Sequence, residues 1–222
     1  MDLMTAASTE ADLREPSFAN EMAAVLSALD CLLGDELGLY TSVEIGGGRP
    51  LYQMLVEAGL HTSGELRESL GDREFRHRLL EPQKALALEL SHAIRLRHPE
   101  ELLVSPVNFH FEGWTLQEYR TLWGTVLRTR IRALYFGDDW EYSENCAFDF
   151  KVAWEVGLPT FSSEGQPILL SEGRFRIQSA ILELDAEGYN TAGLAASLQN
   201  LGRRNRVAAT GEWPVVSAPS GS

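Results

Sequence analysis

A chain of 222 residues, 44% of them hydrophobic, is long enough to close one core and too apolar to be disordered throughout. Its formal charge of −13 argues against a nucleic-acid backbone or an anionic membrane as the main partner, because both need a surplus of Lys and Arg. The two cysteines, Cys31 and Cys146, form neither a metal-ligand spacing nor a disulfide framework, the first fifteen residues lack an apolar signal core, and no stretch reaches the roughly 18 apolar residues of a membrane span. The expectation is a soluble, cytoplasmic protein of one domain.

Residues 1–16 are small and polar, end in Pro16, and read as a flexible leader. From Ser17 onward Met22, Val25, Leu26, Leu29, Leu32 and Leu33 recur at helical spacing, with Ser17 or Asn20 able to cap and Gly34 able to stop the helix. Gly38–Val43 reads as a strand, broken by Gly46-Gly47-Gly48-Arg49-Pro50 before a helical stretch from Leu51. Residues 60–80 are charged and weakly periodic and read as short helices or an insertion. Pro82 opens a helix whose apolar stripe is Leu86, Leu90, Ala93, Ile94 and Leu96, and Leu102–Pro106 follows as a strand after the His98-Pro99 break. The loop 107–115 gathers Phe109, His110, Phe111 and Trp114. A helix Leu116–Thr129 then leads into a strand Ile131–Phe136. After an acidic turn comes a helix Phe148–Val156 with Phe148, Val152 and Val156 on its core face, ended by Gly157. Short strands near Thr160-Phe161 and Ile168–Leu170 precede helices Arg176–Ala186 and Thr191–Leu201. Residues 207–222, rich in Pro, Gly, Ser and Ala, read as a disordered tail, which leaves 17–206 as the folded domain. Strands alternating with helices predict βαβ units. The expected class is α/β: a flavodoxin- or Rossmann-like, mostly parallel sheet flanked by helices, with an extra N-terminal helix.

The positions from Asp138 to Asp149 hold five carboxylates and no cation, where a strand hands over to a helix. Ligands of open α/β sheets bind outside the carboxyl ends of the strands, so this run is a site candidate; a solvated acidic turn is the competing reading. Asp149 reads as a first-turn residue, where unpaired N–H groups and the helix dipole keep a carboxylate ionised, as a nucleophile requires. An ordinary helix-start Asp enjoys the same. Ser143 and Asn145 add a hydroxyl and an amide, or cap the helix. The glycines 46–48 with Arg49 can cradle a phosphate, or form a plain turn, since neither the P-loop Lys-Ser/Thr nor the dinucleotide glycine spacing is present. Phe109, Phe111 and Trp114 can stack on a base or belong to the core. His110 has no metal-ligand partner at a recognised spacing and reads as structural.

Together these pieces resemble the nucleoside 2-deoxyribosyltransferase superfamily, including the 2′-deoxynucleoside 5′-phosphate N-hydrolases. The resemblance covers residues 38–185 and rests on three places. A first strand carries Tyr40 and runs into Gly46-Gly47-Gly48-Arg49, similar to the hydrolases' phosphate loop. A later strand ends in a turn of the family form Ser-x-Gly-x-x-x-Glu, here Ser143-Glu-Asn145-Cys-Ala-Phe-Asp149, with Ala153 and Gly157 following. A strand-end Pro106 precedes an aromatic loop and a helix with Trp123. The chain departs from the family in having Asp149 for Glu, Asn145 for the turn glycine, and Arg132 where an Asp is common. The resemblance implies cleavage of an N-glycosidic bond, by hydrolysis or by transfer to another base, on a nucleoside or nucleoside 5′-monophosphate. In that role Asp149 is the nucleophile, Asp138 or Asp139 the acid, and Tyr40 the orienting group. Ser42, the glycines 46–48, Arg49, Phe109, Trp114, Trp140, Ser143 and Asn145 are then the substrate contacts. It implies no cofactor or metal, and self-association into dimers or larger oligomers. A non-catalytic nucleotide-binding or protein-interaction member of the same fold is the alternative.

Overall fold

The computed structural model of the chain describes residues 7–109, 111 and 113–201, with side chains described from Phe18 on except that of Asn108. The expected tail 207–222, the first six residues of the expected leader and His110 lie outside the described residues.

Four strands form one all-parallel sheet: β1 (Gly38–Ser42), β2 (Leu103–Val104), β3 (Ile131–Phe136) and β4 (Thr160–Phe161), in the order β2-β1-β3-β4. The chain leaves β1 for β2 on one side and then returns to place β3 on the other. β1/β3 is therefore the topological switch point, where the loops at the strand ends part and leave a crevice. Side-chain alternation decides what faces that crevice. Leu39 of β1 joins Ala133 and Tyr135 of β3 in a small cluster with Leu90 and Ile94, whereas Tyr40, Leu134 and Phe136 belong to the main core.

The described helices are α1 (Ala7–Leu33), α2 (Gly48–Ala58), α3 (Ser63–Leu70), α4 (Asp72–Phe75), α5 (Glu81–Arg97), α6 (Leu116–Thr129), α7 (Glu144–Val156), α8 (Leu170–Ala186) and α9 (Ala192–Leu201), with a π-helical turn over Arg76–Leu80. None is long and apolar enough to cross a membrane. α6 starts where Thr115 and Glu118 close a reciprocal capping box, and it occupies the expected span.

Several boundaries differ from the sequence reading. α1 begins ten residues before Ser17 and continues through Pro16, because Glu10, Ala11, Leu13, Arg14 and Glu15 are good helix formers. α5 buries Gln83, Ala87, Leu90, Ser91 and Ile94 and leaves Leu86 and Leu96 exposed. The cause is hydrogen bonding: Ser91 Oγ donates to the Ala87 carbonyl, and Gln83 is engaged by the glycine turn described below. α7 starts four residues before Phe148, since Ser143 Oγ accepts the Cys146 N–H. Its core face consequently holds Cys146, Ala147, Phe150 and Ala153 with Val152, while Phe148 is half-buried and Val156 exposed. No strand spans 168–170: an isolated antiparallel bridge between Phe161 and Pro167 turns the chain into α8 at Leu170.

Candidate functional site

β1 alternates, so Tyr40 and Ser42 point from one face toward α6 and α7, and there they meet a carboxylate. Asp149, buried, accepts hydrogen bonds on Oδ2 from Ser42 Oγ at 2.8 Å and from Tyr40 OH at 3.4 Å. Tyr40 in turn leans on Trp123 of α6, ring centroids 6.0 Å apart. Asp149 is the sixth residue of α7, past the four free N–H groups of the first turn, so hydroxyls rather than helix amides hold it. The expectation of a fully ionised carboxylate changes with that position. Burial pushes its pKa up to about 7, the Ser42 and Tyr40 bonds and Arg120 hold it down, and the charge of Glu44 adds to the rise.

Glu44 is the residue that the sequence reading missed. Its Oε2 accepts from Ser143 Oγ at 2.5 Å and from Asn145 Nδ2 at 3.4 Å, and its Oε1 accepts the Ile45 N–H at 3.0 Å. Burial raises its pKa in spite of these three donors. Ser143 thus works twice, capping α7 and fastening the end of β1 to it. A period-2 signal was available, since 40, 42 and 44 continue one face past the end of the strand.

Both carboxylates line a cleft of about 480 Å³ between the end of β1, the loop after β2, α6 and the start of α7. That volume lies in the range of small-molecule sites. Its wall is aromatic: Phe109, Phe111, Trp114, Tyr119, Trp123 and Phe148. Phe111 and Trp114 stack at 4.2 Å, and Phe109 meets Trp123 edge-on at 5.3 Å. Two cations also line the cleft, exposed Lys84 and half-buried Arg120. Arg120 bridges to Glu144 at 3.4 Å and lies over the Phe148 ring, while its Nε and the Oδ1 of Asn145 are buried without a protein partner. Those two atoms are a free donor and a free acceptor for a bound molecule.

The other expected site residues go elsewhere. Asp138, Asp139, Trp140, the glycines 46–48 and Arg49 do not line the cleft. Asp139, the one non-glycine with positive φ among the described residues, turns the chain into the 3-10 turn Trp140–Tyr142 that leads to α7. It pairs with Arg49 at 3.2 Å, and Asp138 accepts from Ser163 Oγ at 2.7 Å. Arg49 also lies 3.8 Å from Glu183 and over the Tyr142 ring, so its guanidinium is spent on these groups. Gly46 gives its N–H to Gln83 Oε1, Gln83 Nε2 donates to the Gly47 carbonyl, and Gly46 and Gly48 sit at φ 105° and 65°. The glycines make a pinned turn into α2. Trp140 is core, packed between Phe136 and Phe150 at 4.7 and 4.9 Å. Tyr40, Ser42, Phe109, Trp114, Asn145 and Asp149 are brought together in the cleft, with Ser143 directly behind Glu44.

Among the described residues no group of three or more His, Cys, Asp or Glu is placed to hold a metal ion. No protein-family model, curated protein or solved structure matches the chain, so its own geometry carries the functional reading.

Proposed function

We propose that the cleft binds a nucleoside or nucleoside 5′-monophosphate and that Asp149 attacks the anomeric carbon, breaking the N-glycosidic bond by hydrolysis or by transfer of the sugar to another base. The observation that supports this reading best is Asp149 itself, buried at the floor of an aromatic-walled cleft with two hydroxyls converging on one of its oxygens. That convergence on Oδ2 leaves Oδ1 for the sugar. The aromatic wall offers π-faces for a base, and a carboxylate at C1′ either forms a glycosyl ester or stabilises the oxocarbenium-like state preceding it. Lys84, with the Nε of Arg120 that its bridge to Glu144 leaves free, supplies the positive charge for a 5′-phosphate, since Arg49 lies outside the cleft.

Binding without turnover is favoured by the burial of Asp149, which pushes its pKa up to about 7 and so works against the ionised form that attacks. Chromatography of deoxynucleosides, ribonucleosides and their 5′-monophosphates incubated with the protein, with and without a free acceptor base, separates the readings. Base release or exchange that disappears in Asp149→Ala supports the enzyme. A nucleotide that raises the melting temperature of both proteins with no turnover supports a binding protein, and neither effect refutes both.

A further inference from the structure

We infer that Glu44 is the catalytic acid of this cleft, the group that protonates the departing base, a role for which the sequence alone points to Asp138 and Asp139. The inference rests on the N-glycosidic reading of Asp149. Its ground is position. Glu44 and Asp149 line one cleft, whereas Asp138 and Asp139 lie outside it, bound to Ser163 after β4 and to Arg49 of α2. A reaction in which one carboxylate attacks carbon needs a second group near enough to give a proton to the leaving nitrogen. Among the described residues that line the cleft, Glu44 is the remaining carboxyl.

Orientation supports the same role. Ser143 and Asn145 both donate to Oε2, while Oε1 takes only the N–H of the adjacent residue Ile45. Oε1 is therefore the oxygen with room to carry a proton. Burial raises the pKa of Glu44, the direction that a proton donor needs, and the charge it carries when ionised raises Asp149 in turn. The chemistry balances without a co-reactant other than water. Asp149 Oδ1 bonds to C1′ as the C1′–N bond breaks, its electron pair passes to the base nitrogen, and the Glu44 proton bonds to that nitrogen. Water then attacks C1′ of the ester, Glu44 takes one of its protons, and sugar and Asp149 carboxylate are released. An acceptor base in place of water gives transfer.

A pair of probes isolates this step: 2′-deoxyguanosine 5′-monophosphate, whose base needs a proton to leave, and its 7-methyl derivative, whose cationic base leaves without one. In single-turnover release of the base, the step before water enters, Glu44→Gln should slow the first by on the order of a hundredfold or more, the size typical of losing a general acid, and the second by less than about threefold. Asp149→Asn should abolish both. Equal slowing of the two probes by Glu44→Gln overturns the acid role while leaving the nucleophile standing. Turnover by wild type that survives Asp149→Asn, or no turnover of either probe by wild type, overturns the underlying reading and this inference with it. A second measurement follows pH: base release from the unmethylated probe should fall on an alkaline limb in wild type that Glu44→Gln lacks. A limb that persists in the variant contradicts the assignment.

Discussion

Replacing Asp149 by Asn should make the protein more stable at neutral and alkaline pH, although it removes the proposed nucleophile. The amide keeps an oxygen to accept from Ser42 and Tyr40, so the main change is loss of a buried ionisable group. In the unfolded chain the carboxyl ionises near its ordinary 3.8, and in the folded chain near about 7. A raised folded value means that the group's contribution is fully present below 3.8, is lost progressively as the pH climbs toward about 7, and is flat above that. The loss is about three pH units at 1.36 kcal/mol each, or ~4 kcal/mol. At roughly 2–4 °C per kcal/mol for a chain of this size, the Asn protein should melt some 8–16 °C above wild type at about pH 8. Near pH 4 the two should nearly coincide. Calorimetric melting of both proteins across this range gives the answer. A gap that is the same at every pH, or a wild type that gains on the variant as the pH rises, refutes the placement of Asp149 as a buried, unpaired carboxyl.

Glu44→Gln removes a negative charge that raises Asp149, so the Asp149 titration followed by carboxyl-carbon NMR should move to lower pH; an unmoved midpoint contradicts their electrostatic contact. Ser42→Ala should lower turnover more than Tyr40→Phe, because the 2.8 Å bond to a charged acceptor is the stronger of the two; equal effects in steady-state kinetics count against it. Lys84→Ala should weaken binding of a nucleoside 5′-monophosphate and leave the matching nucleoside unaffected, while Arg49→Ala, a partner of exposed ion pairs, should change neither by calorimetric titration and cost less than about 1 kcal/mol of stability.

Much of the scaffold is legible in the sequence for local reasons. β3 and α6 occupy their expected spans because a buried apolar run and a capping box at Thr115 mark them. Tyr40 and Asp149, far apart in sequence, come into hydrogen-bond contact at 3.4 Å because β1 and α7 pack side by side, a proximity that no local pattern in the sequence marks. What the sequence hides is direction. A chain leaving β3 at Gly137 can turn to either side of the sheet, and the left-handed conformation at Asp139 sends Asp138 and Asp139 away from the cleft. Hydropathy misleads on α5 because Gln83 and Ser91 are buried with satisfied hydrogen bonds while Leu86 and Leu96 are exposed. The polar first turn of α7, Glu144 and Asn145, hides its start from a search for apolar periodicity. Glu44 was missed for a related reason: it lies beyond the end of β1, where the alternation continues without the strand.

The most direct measurement is peptide mass spectrometry of protein quenched in acid during turnover of a deoxynucleoside 5′-monophosphate. A covalent nucleophile predicts a deoxyribosyl phosphate adduct on the peptide containing Asp149, absent from Asp149→Asn. An adduct on any other residue, or base release at the wild-type rate by the Asn protein, contradicts Asp149 as the group that attacks the sugar.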